Sequence, residues 1–383
     1  MNTPIHVLHI TEVLISYGGT PIKLLYQVLN SSKDFKFTVC CIAQEGNLAD
    51  DFRAAGVEVI ALNRKKNYDL RQIGDIASII KNRQVDIVHT HFARSNTFGR
   101  IAAILAGRPV IVSEHGIVRN NSILVFFFDN VLNLFTANLV ANSRATLASV
   151  RKRVFFNRAN MSVIYNGVPD MPREYLKIPQ NDLKREHGFK PDDFLVLNVG
   201  SHIPARNTIA LVEAVARIRP LIPELKVVQI GGGSERAALE IAIEKHNLKE
   251  IFFLWGITDR EKIHRFIRAA DVYVNPALLE GFGIATVEAM LCGLPVVCAD
   301  SGSLPELVEH EKNGLLFKPH DIDGLSQCIL SLYRSAELRR RLGRAGWETA
   351  LDKFNIKQFV SSFEEKYRSM YRRKKDPVPG GIK

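Results

Sequence analysis

Two glutamates, Glu280 and Glu288, stand eight residues apart within Asn275–Ala299, separated by the turn Gly281-Phe282-Gly283-Ile284. The glycines allow the backbone to approach a ligand closely, and a helix is predicted from this turn to about Leu291. The first N–H groups of such a helix have no intrahelical acceptor and sit at the positive end of its dipole, a combination that receives phosphate. Glu288, one turn into the helix, can reach back to a ribose diol. Glu280, ahead of the turn, faces whatever hangs from the phosphates. Taken alone, the pair also suits a solvated strand-to-helix turn.

Other stretches carry weaker signals. Gly18-Gly19-Thr20 follows a strand and precedes Pro21, which suits a tight turn over an anion at the start of a helix. Gly231-Gly232-Gly233-Ser234 follows another strand, but Arg236 fills the last glycine position of a dinucleotide fingerprint. His89 and His91 share one face of a strand; two histidines without a third ligand do not make a zinc site. Trp255 suits either a nucleobase pocket or a buried core. Arg119–Val140 and Arg151–Phe156 combine cations with bulky apolar side chains, a pattern for an anionic membrane surface or for ordinary helix packing.

The elements that hold these residues can be read from period. Short β-branched runs alternate with helical spacing along nearly the whole chain: Ile5–Ile10, Phe37–Ile42, Val57–Leu62, Ile87–His91, Val110–Ser113, Leu139–Ala141 and Ser162–Tyr165 in the first half. Leu195–Val199, Lys226–Ile230, Ile251–Leu254, Val272–Asn275, Val296–Ala299 and Gly314–Phe317 follow in the second. Continuous apolar runs of this length predict parallel strands buried on both faces, in an α/β fold with two sheets. Pro169, Pro172 and Pro179 break the periodicity between them. Open parallel sheets bind ligands at the C-terminal ends of their strands.

Composition bounds the partners. The 383 residues carry 51 Lys and Arg against 40 Asp and Glu, a net charge of +11 that favours anionic ligands or an acidic lipid surface. No RRM, KH or zinc-finger pattern supports nucleic acid. Five cysteines without a CxxC pair exclude a disulfide framework or a zinc ribbon, and Cys292 and Cys298 read as small core residues. No secretion signal is read at the N-terminus, and Asp129, Asn130, Asn133 and Asn138 interrupt the most apolar window. A cytoplasmic protein is expected, peripheral at most on the inner face of the membrane.

Around Glu280 the chain resembles the retaining GT-B glycosyltransferases of family GT4, whose donor pattern runs P-S-x-x-E-G-F-G-x-x-x-x-E-A-x-A-x-G-x-P-V. Here it stands as Pro276, Glu280-Gly281-Phe282-Gly283, Glu288-Ala289, Gly293 and Pro295-Val296, continuing through Ser301-Gly302-Ser303, Glu306 and Asn313-Gly314. The resemblance implies an α/β GT-B architecture of two Rossmann-like domains facing across a cleft. Residues 1–172, joined by a C-terminal helix over 356–372, would bind the acceptor. Residues 173–355 would bind the nucleotide sugar, and 373–383 would form a basic, disordered tail.

It further implies hexosyl transfer from a UDP- or GDP-linked sugar to a hydroxyl of a glycan or polyprenyl-linked acceptor in bacterial surface-polysaccharide assembly. Neither a metal nor any other cofactor is expected. Glu280 would contact the donor sugar, Glu288 the ribose, and amides around Phe282, Gly283 and Ile284 the diphosphate. Gly19 belongs to the family's second phosphate loop, with Gly18 supporting it, and His115 matches its loop histidine beside the reacting sugar. In the G-R-x-x-x-x-K motif Arg206 keeps the lysine's charge, whereas Ser201 replaces the arginine; Gly231 and Gly233 support the nucleotide. The alternatives are a GT-B nucleotide-sugar epimerase and a non-catalytic nucleotide-sugar-binding protein.

Overall fold

The structure, a computed structural model, describes residues 3–15, 19–64, 66, 69–117, 123–155, 159–171 and 177–375. Gly18, Pro172 and Phe156 lie outside them, as does 376–383. The chain divides into two units, Met1–Gly167 with Ile356–Lys383, and Val168–Asn355. The sequence reading put the first boundary at 172; Val168 N donates to Phe354 O (2.9 Å) and so already belongs with the second unit.

In the first unit, the strands are β1 (Ile5–Thr11), β2 (Phe35–Cys41), β3 (Glu58–Ala61), β4 (Ile87–His91), β5 (Val110–Glu114), β6 (Asn138–Ala141) and β7 (Asn160–Val163). Its helices are α1 (Gly19–Asn30), α2 (Ala49–Ala54), α3 (Arg71–Asn82), α4 (Ala93–Leu105), α5 (Ile123–Asn133) and α6 (Arg144–Arg151). The strands form one parallel sheet in the order β3-β2-β1-β4-β5-β6-β7. Consecutive strands run outward in both directions from β1 and β4, the switch point where such sheets open to ligands.

The second unit holds α7 (Gln180–Glu186), β8 (Phe194–Val199), α8 (Thr208–Ile218), β9 (Leu225–Ile230), α9 (Arg236–Lys245), β10 (Phe252–Gly256) and α10 (Arg260–Ala269). It continues with β11 (Val272–Asn275), α11 (Ile284–Leu291), β12 (Val296–Ala299), α12 (Leu304–Leu307), β13 (Leu315–Phe317), α13 (Ile322–Arg334) and α14 (Ala336–Lys353). Its parallel sheet is ordered β10-β9-β8-β11-β12-β13, with the switch between β8 and β11. Here Cys298 is buried and Cys292 half-buried.

The final helix, α15 (Ile356–Lys375), packs into the first unit. Phe359, Val360, Phe363, Tyr367 and Met370 recur at helical spacing and join Val7, Ile87 and Ile111 in one core. Fully burying a ring such as Phe363 contributes about 1.5–3 kcal/mol relative to leaving it in water. The helix runs through Arg373 to Lys375, so the tail expected from 373 is corrected at its start: the helical face continues past the last apolar residue.

The period-2 alternation of the strands then determines which polar groups share that covered face. His9 pairs in register with His89, and His91 with Ser113, all on the side of Val7, Ile87 and Ile111.

Candidate active site

In the second unit the site is built at the C-terminal end of β11. Asn275 Nδ2 donates to Thr286 Oγ1 (3.1 Å) and to Glu280 Oε2 (3.4 Å), while its Oδ1 accepts from Ala277 N (3.2 Å). One amide thus ties the strand end, the following loop and the first turn of α11. Gly283 is the N-cap of α11 at φ +97°, and Phe282 beside it is buried. Behind Glu280 runs the turn Ser301-Gly302-Ser303. Ser303 N and Oγ both donate to Glu280 O (3.1 Å each), and a Cβ on Gly302 would stand 2.5 Å from that oxygen. Only glycine lets the two backbones lie this close.

Glu280 is 8% exposed, and its carboxylate pairs with the Arg206 guanidinium while also accepting from Gly281 N (3.1 Å). Arg206 ends a 3-10 turn, Pro204–Arg206, beyond β8, and Ala205 O accepts from Leu278 N (2.9 Å). The loops after β8 and β11 therefore bring a cation and a carboxylate together at the switch point. Ser201 is exposed on the first of these loops. Gly231 and Gly233 have a packing reason: a Cβ would meet Gly200 O at 2.0 Å and His202 O at 2.5 Å respectively, so the glycines let two loops touch.

Glu288, on the second turn of α11, is buried and forms an ion pair with Arg260 at the start of α10, with His264 Nε2 at 3.6 Å. Burial, with Arg260 nearby, pushes the His264 pKa down to about 4. Each glutamate of the motif therefore faces its own arginine. Trp255 is part-exposed, edge-on to Phe266 (4.7 Å) with Lys262 over its ring (4.9 Å), rather than buried in the core.

In the first unit Gly19 is exposed at the start of α1, and Gly18 lies outside the described residues. His115, just beyond β5, is half-buried, with its carbonyl held by Asn142 Nδ2 (3.1 Å). Its ring contacts Lys23 Nζ (3.1 Å) and His91 (3.0 Å). His9, His89 and His91 place one nitrogen each within 4.8 Å of one another. Both nitrogens of His89 are committed to Tyr367 and Ser113 (2.7 Å each), and both of His91 to His9 and His115 (2.9 and 3.0 Å). A cavity of about 610 Å³ lined by Asn138, Asn160, Ser162, Lys366, Met370 and Arg373 lies by the N-terminal ends of β6 and β7, the ends opposite His115.

Burial lowers the His9 pKa to about 3 and holds His89, His91 and His115 well below 6.5. The unfolded chain takes up these protons below pH 6.5 and the folded chain does not. These four rings therefore add no pH dependence above pH 6.5, and their contribution lowers stability as pH drops towards the folded values, by about 1.4 kcal/mol per pH unit for each group. Trp255 and Trp347, the chain's two tryptophans, are both in the second unit. Acidification is expected to reduce far-UV circular dichroism before tryptophan fluorescence responds; coincident transitions would contradict this.

Comparisons with known proteins decide the family. The profile for Glycosyl transferases group 1 matches residues 179–349, and that for Glycosyltransferase Family 4 matches residues 25–170. The chain belongs to the GT4-type glycosyltransferases. It is 27% identical over 387 residues, covering 96% of this chain and 98% of the relative, to the UDP-Gal:alpha-D-GlcNAc-diphosphoundecaprenol alpha-1,3-galactosyltransferase of Escherichia coli. It is 22% identical to the N-acetyl-alpha-D-glucosaminyl L-malate synthase of Bacillus anthracis, covering 80% of each chain. Among solved structures, Anabaena HepE in complex with UDP and glucose superposes with a TM-score of 0.83 at 21% identity, over 95% of this chain and 100% of that one. The glycosyltransferase therefore has the GT-B fold and belongs to the hexosyltransferase class of enzymes.

Three residues beside the candidate site residues of their own units escaped the sequence reading: Asn275 and Arg260 in the second unit, and Lys23 in the first. Lys23 left a trace, a lysine between Ile22 and Leu24 on a helix whose neighbouring positions are buried.

Proposed function

We propose that this glycosyltransferase transfers a hexose with retention from a UDP- or GDP-linked donor to a hydroxyl of a polyprenyl-linked glycan. The observation that carries this reading is the buried Glu280 carboxylate beside Arg206, ahead of the N-terminus of α11. Departure of a nucleoside diphosphate builds negative charge on its leaving oxygen. Preorganised donors stabilise that charge: the amides around Phe282, Gly283 and Ile284, and Arg206. Glu280 orients the sugar and steadies positive charge at its ring. Glu288 turns from Arg260 to the ribose, Gly19 approaches the diphosphate, and His115 lies by the sugar. The leaving phosphate takes the acceptor's proton, so no separate base is assigned, and no metal has a part.

The printed names of the relatives support a lipid-linked acceptor: the Escherichia coli enzyme is named for a diphosphoundecaprenol-linked one. The same enzyme is named for a UDP-linked galactose donor, which supports uridine over guanosine. The decisive test incubates the purified protein with UDP- and GDP-hexoses, with and without a polyprenyl-diphosphate sugar. Acceptor-dependent release of nucleoside diphosphate supports the reading. Free sugar or an epimer without acceptor indicates the epimerase, and binding without turnover indicates the silent protein that Ser201, in place of the family's arginine, keeps as an alternative.

The acceptor's lipid directs attention to α5. Phe127 and Phe128 are 60% and 52% exposed, and Phe155 is 75% exposed. Asn130 fixes the last of these by donating to Arg153 O (3.0 Å) and accepting from Phe155 N (2.6 Å). Phe155 meets Phe126 edge-on (5.6 Å) and Phe127 meets Phe128 (6.3 Å), yet Phe127, Phe128 and Phe155 stay more than half exposed, and Arg151, Lys152 and Arg153 shortly precede Phe155 in the chain. Among the described residues no helix is long and apolar enough to cross a membrane. We assign this face to peripheral contact with an anionic membrane, consistent with a cytoplasmic location. Replacing Phe127, Phe128 and Phe155 by serine is expected to weaken sedimentation with phosphatidylglycerol vesicles about tenfold or more, even if each ring inserts only partly. Unchanged sedimentation would remove this face from the reading.

A further inference from the structure

On the covered face of the first sheet, Lys23 Nζ lies 3.1 Å from His115 Nδ1, His115 Nε2 3.0 Å from His91 Nδ1, and His91 Nε2 2.9 Å from His9 Nδ1. The series ends at His9 Nε2, which is buried with no hydrogen-bond partner among the described residues. A neutral imidazole has one donor and one acceptor nitrogen. Rings joined in this way must all adopt the same tautomer, and the group at the head of the series selects it. We propose that Lys23 is a positioning residue whose ammonium or amine form sets the tautomers of His115, His91 and His9 together.

An ammonium can only donate. His115 Nδ1 then accepts, and each Nε2–H donates to the next ring, leaving His9 Nε2–H as the unpartnered terminus. An amine can accept, so each Nδ1–H donates towards Lys23 and His9 Nε2 keeps a bare lone pair. Passing from one form to the other shifts one proton along each of the three hydrogen bonds and releases one proton to solvent. No bond between heavy atoms changes. Lys23 is 3% exposed, and burial lowers its pKa to about 7, so both forms are within reach near neutrality.

The titratable groups facing Lys23 are His9 on β1, His89 and His91 on β4, and His115 beyond β5, all kept neutral by burial. From α15 the ring of Phe359 lies 5.8 Å from its ammonium, and that helix also supplies Tyr367 to His89. On α1 itself Gln27 Nε2 donates to Tyr367 OH (3.0 Å), whose proton then goes to His89 Nδ1, leaving His89 Nε2–H for Ser113. That ring is governed by an amide that does not titrate, and it serves as an internal reference.

The test uses the full chain with ¹⁵N-labelled histidine, recording ring nitrogens from about pH 6 to about pH 9, a range that spans the titration of Lys23 and leaves the buried rings neutral. His115, His91 and His9 are expected to pass together from Nε2–H to Nδ1–H as pH rises, with His89 unchanged. Lys23→Arg, which keeps its charge, should hold all three in the Nε2–H form throughout, and Lys23→Met should abolish the switch. Independent or pH-invariant tautomers in the parent protein, or switching in Lys23→Met, would overturn the proposal. If the methionine variant does not fold, the parent titration against His89 decides. Any consequence for transfer rests on His115 lying beside the sugar; the spectra need neither donor nor acceptor, so either reading can fail without the other.

Discussion

Glu280→Ala is expected to lower sugar transfer by about 10²–10³-fold, the scale of losing one preorganised electrostatic group at a reacting centre, while the protein stays folded. The backbone around position 280 does not depend on the carboxylate. Ser303 grips the carbonyl, Gly302 packs against it, and Ala205 O holds Leu278 N. Removing the side chain leaves Arg206 without its carboxylate, but Arg206 is 31% exposed and can be hydrated. A guanidinium released from Glu280 is also freer to take a diphosphate. Transfer should therefore collapse while UDP or GDP binding, measured calorimetrically, is retained or tightened. Glu280→Gln, which keeps the shape and one acceptor oxygen but loses the charge and turns an amide NH2 towards Gly281 N or towards Arg206 and Asn275, should fall between. Full turnover by the alanine variant would remove Glu280 from the chemistry.

The second large effect concerns Arg260. Glu288 has a side chain 3% exposed, and Arg260, 21% exposed, pairs with it. Arg260→Met strands a carboxylate in a low-dielectric setting, and breaking such a pair from one side costs about 3–5 kcal/mol. The lower end applies, because Arg260 itself retains some contact with water. Urea unfolding followed by tryptophan fluorescence reports this loss directly, since Trp255 and Trp347 both belong to the affected unit. Adding Glu288→Gln should restore most of the stability, because no uncompensated charge remains, yet nucleotide binding should stay weak if Glu288 serves the ribose. That double variant separates the pair's structural part from its part in the ligand. An Arg260→Met protein as stable as its parent would show that Glu288 is held by something else.

The sequence made the strands legible because parallel strands buried on both faces are written as continuous apolar runs. Ile87–His91, Val272–Asn275 and Val296–Ala299 were read to the residue for that reason. Glu280, Gly283 and the start of α11 were legible because a strand-turn-helix motif is local. Arg260 was not, since its tie to Glu288 joins two helices and leaves no periodic trace. Lys23 looks like an ordinary helical lysine until β1, β4 and β5 bring three histidines beneath it. The Gly231 cluster resembled a ligand turn, and its close contacts are with backbone from a loop some thirty residues earlier, at Gly200 and His202. Phe127 and Phe128 sit in an apolar helix, and only the fold shows them facing outward.

The return of α15 to the first unit constrains how this protein can be made. During synthesis Val168–Asn355 is complete before residues 356–375 leave the ribosome, so the second unit can settle while the first still lacks part of its core. Until then Phe359, Phe363 and Tyr367 are missing from the face of β1 and β4, and His89 has no hydroxyl to meet. A fragment ending at Gly167 would inherit that gap permanently, as a wet apolar sheet face prone to sticking. Expression of the first unit by itself therefore calls for splicing Ile356–Lys375 back onto it, not for cutting the gene at the boundary.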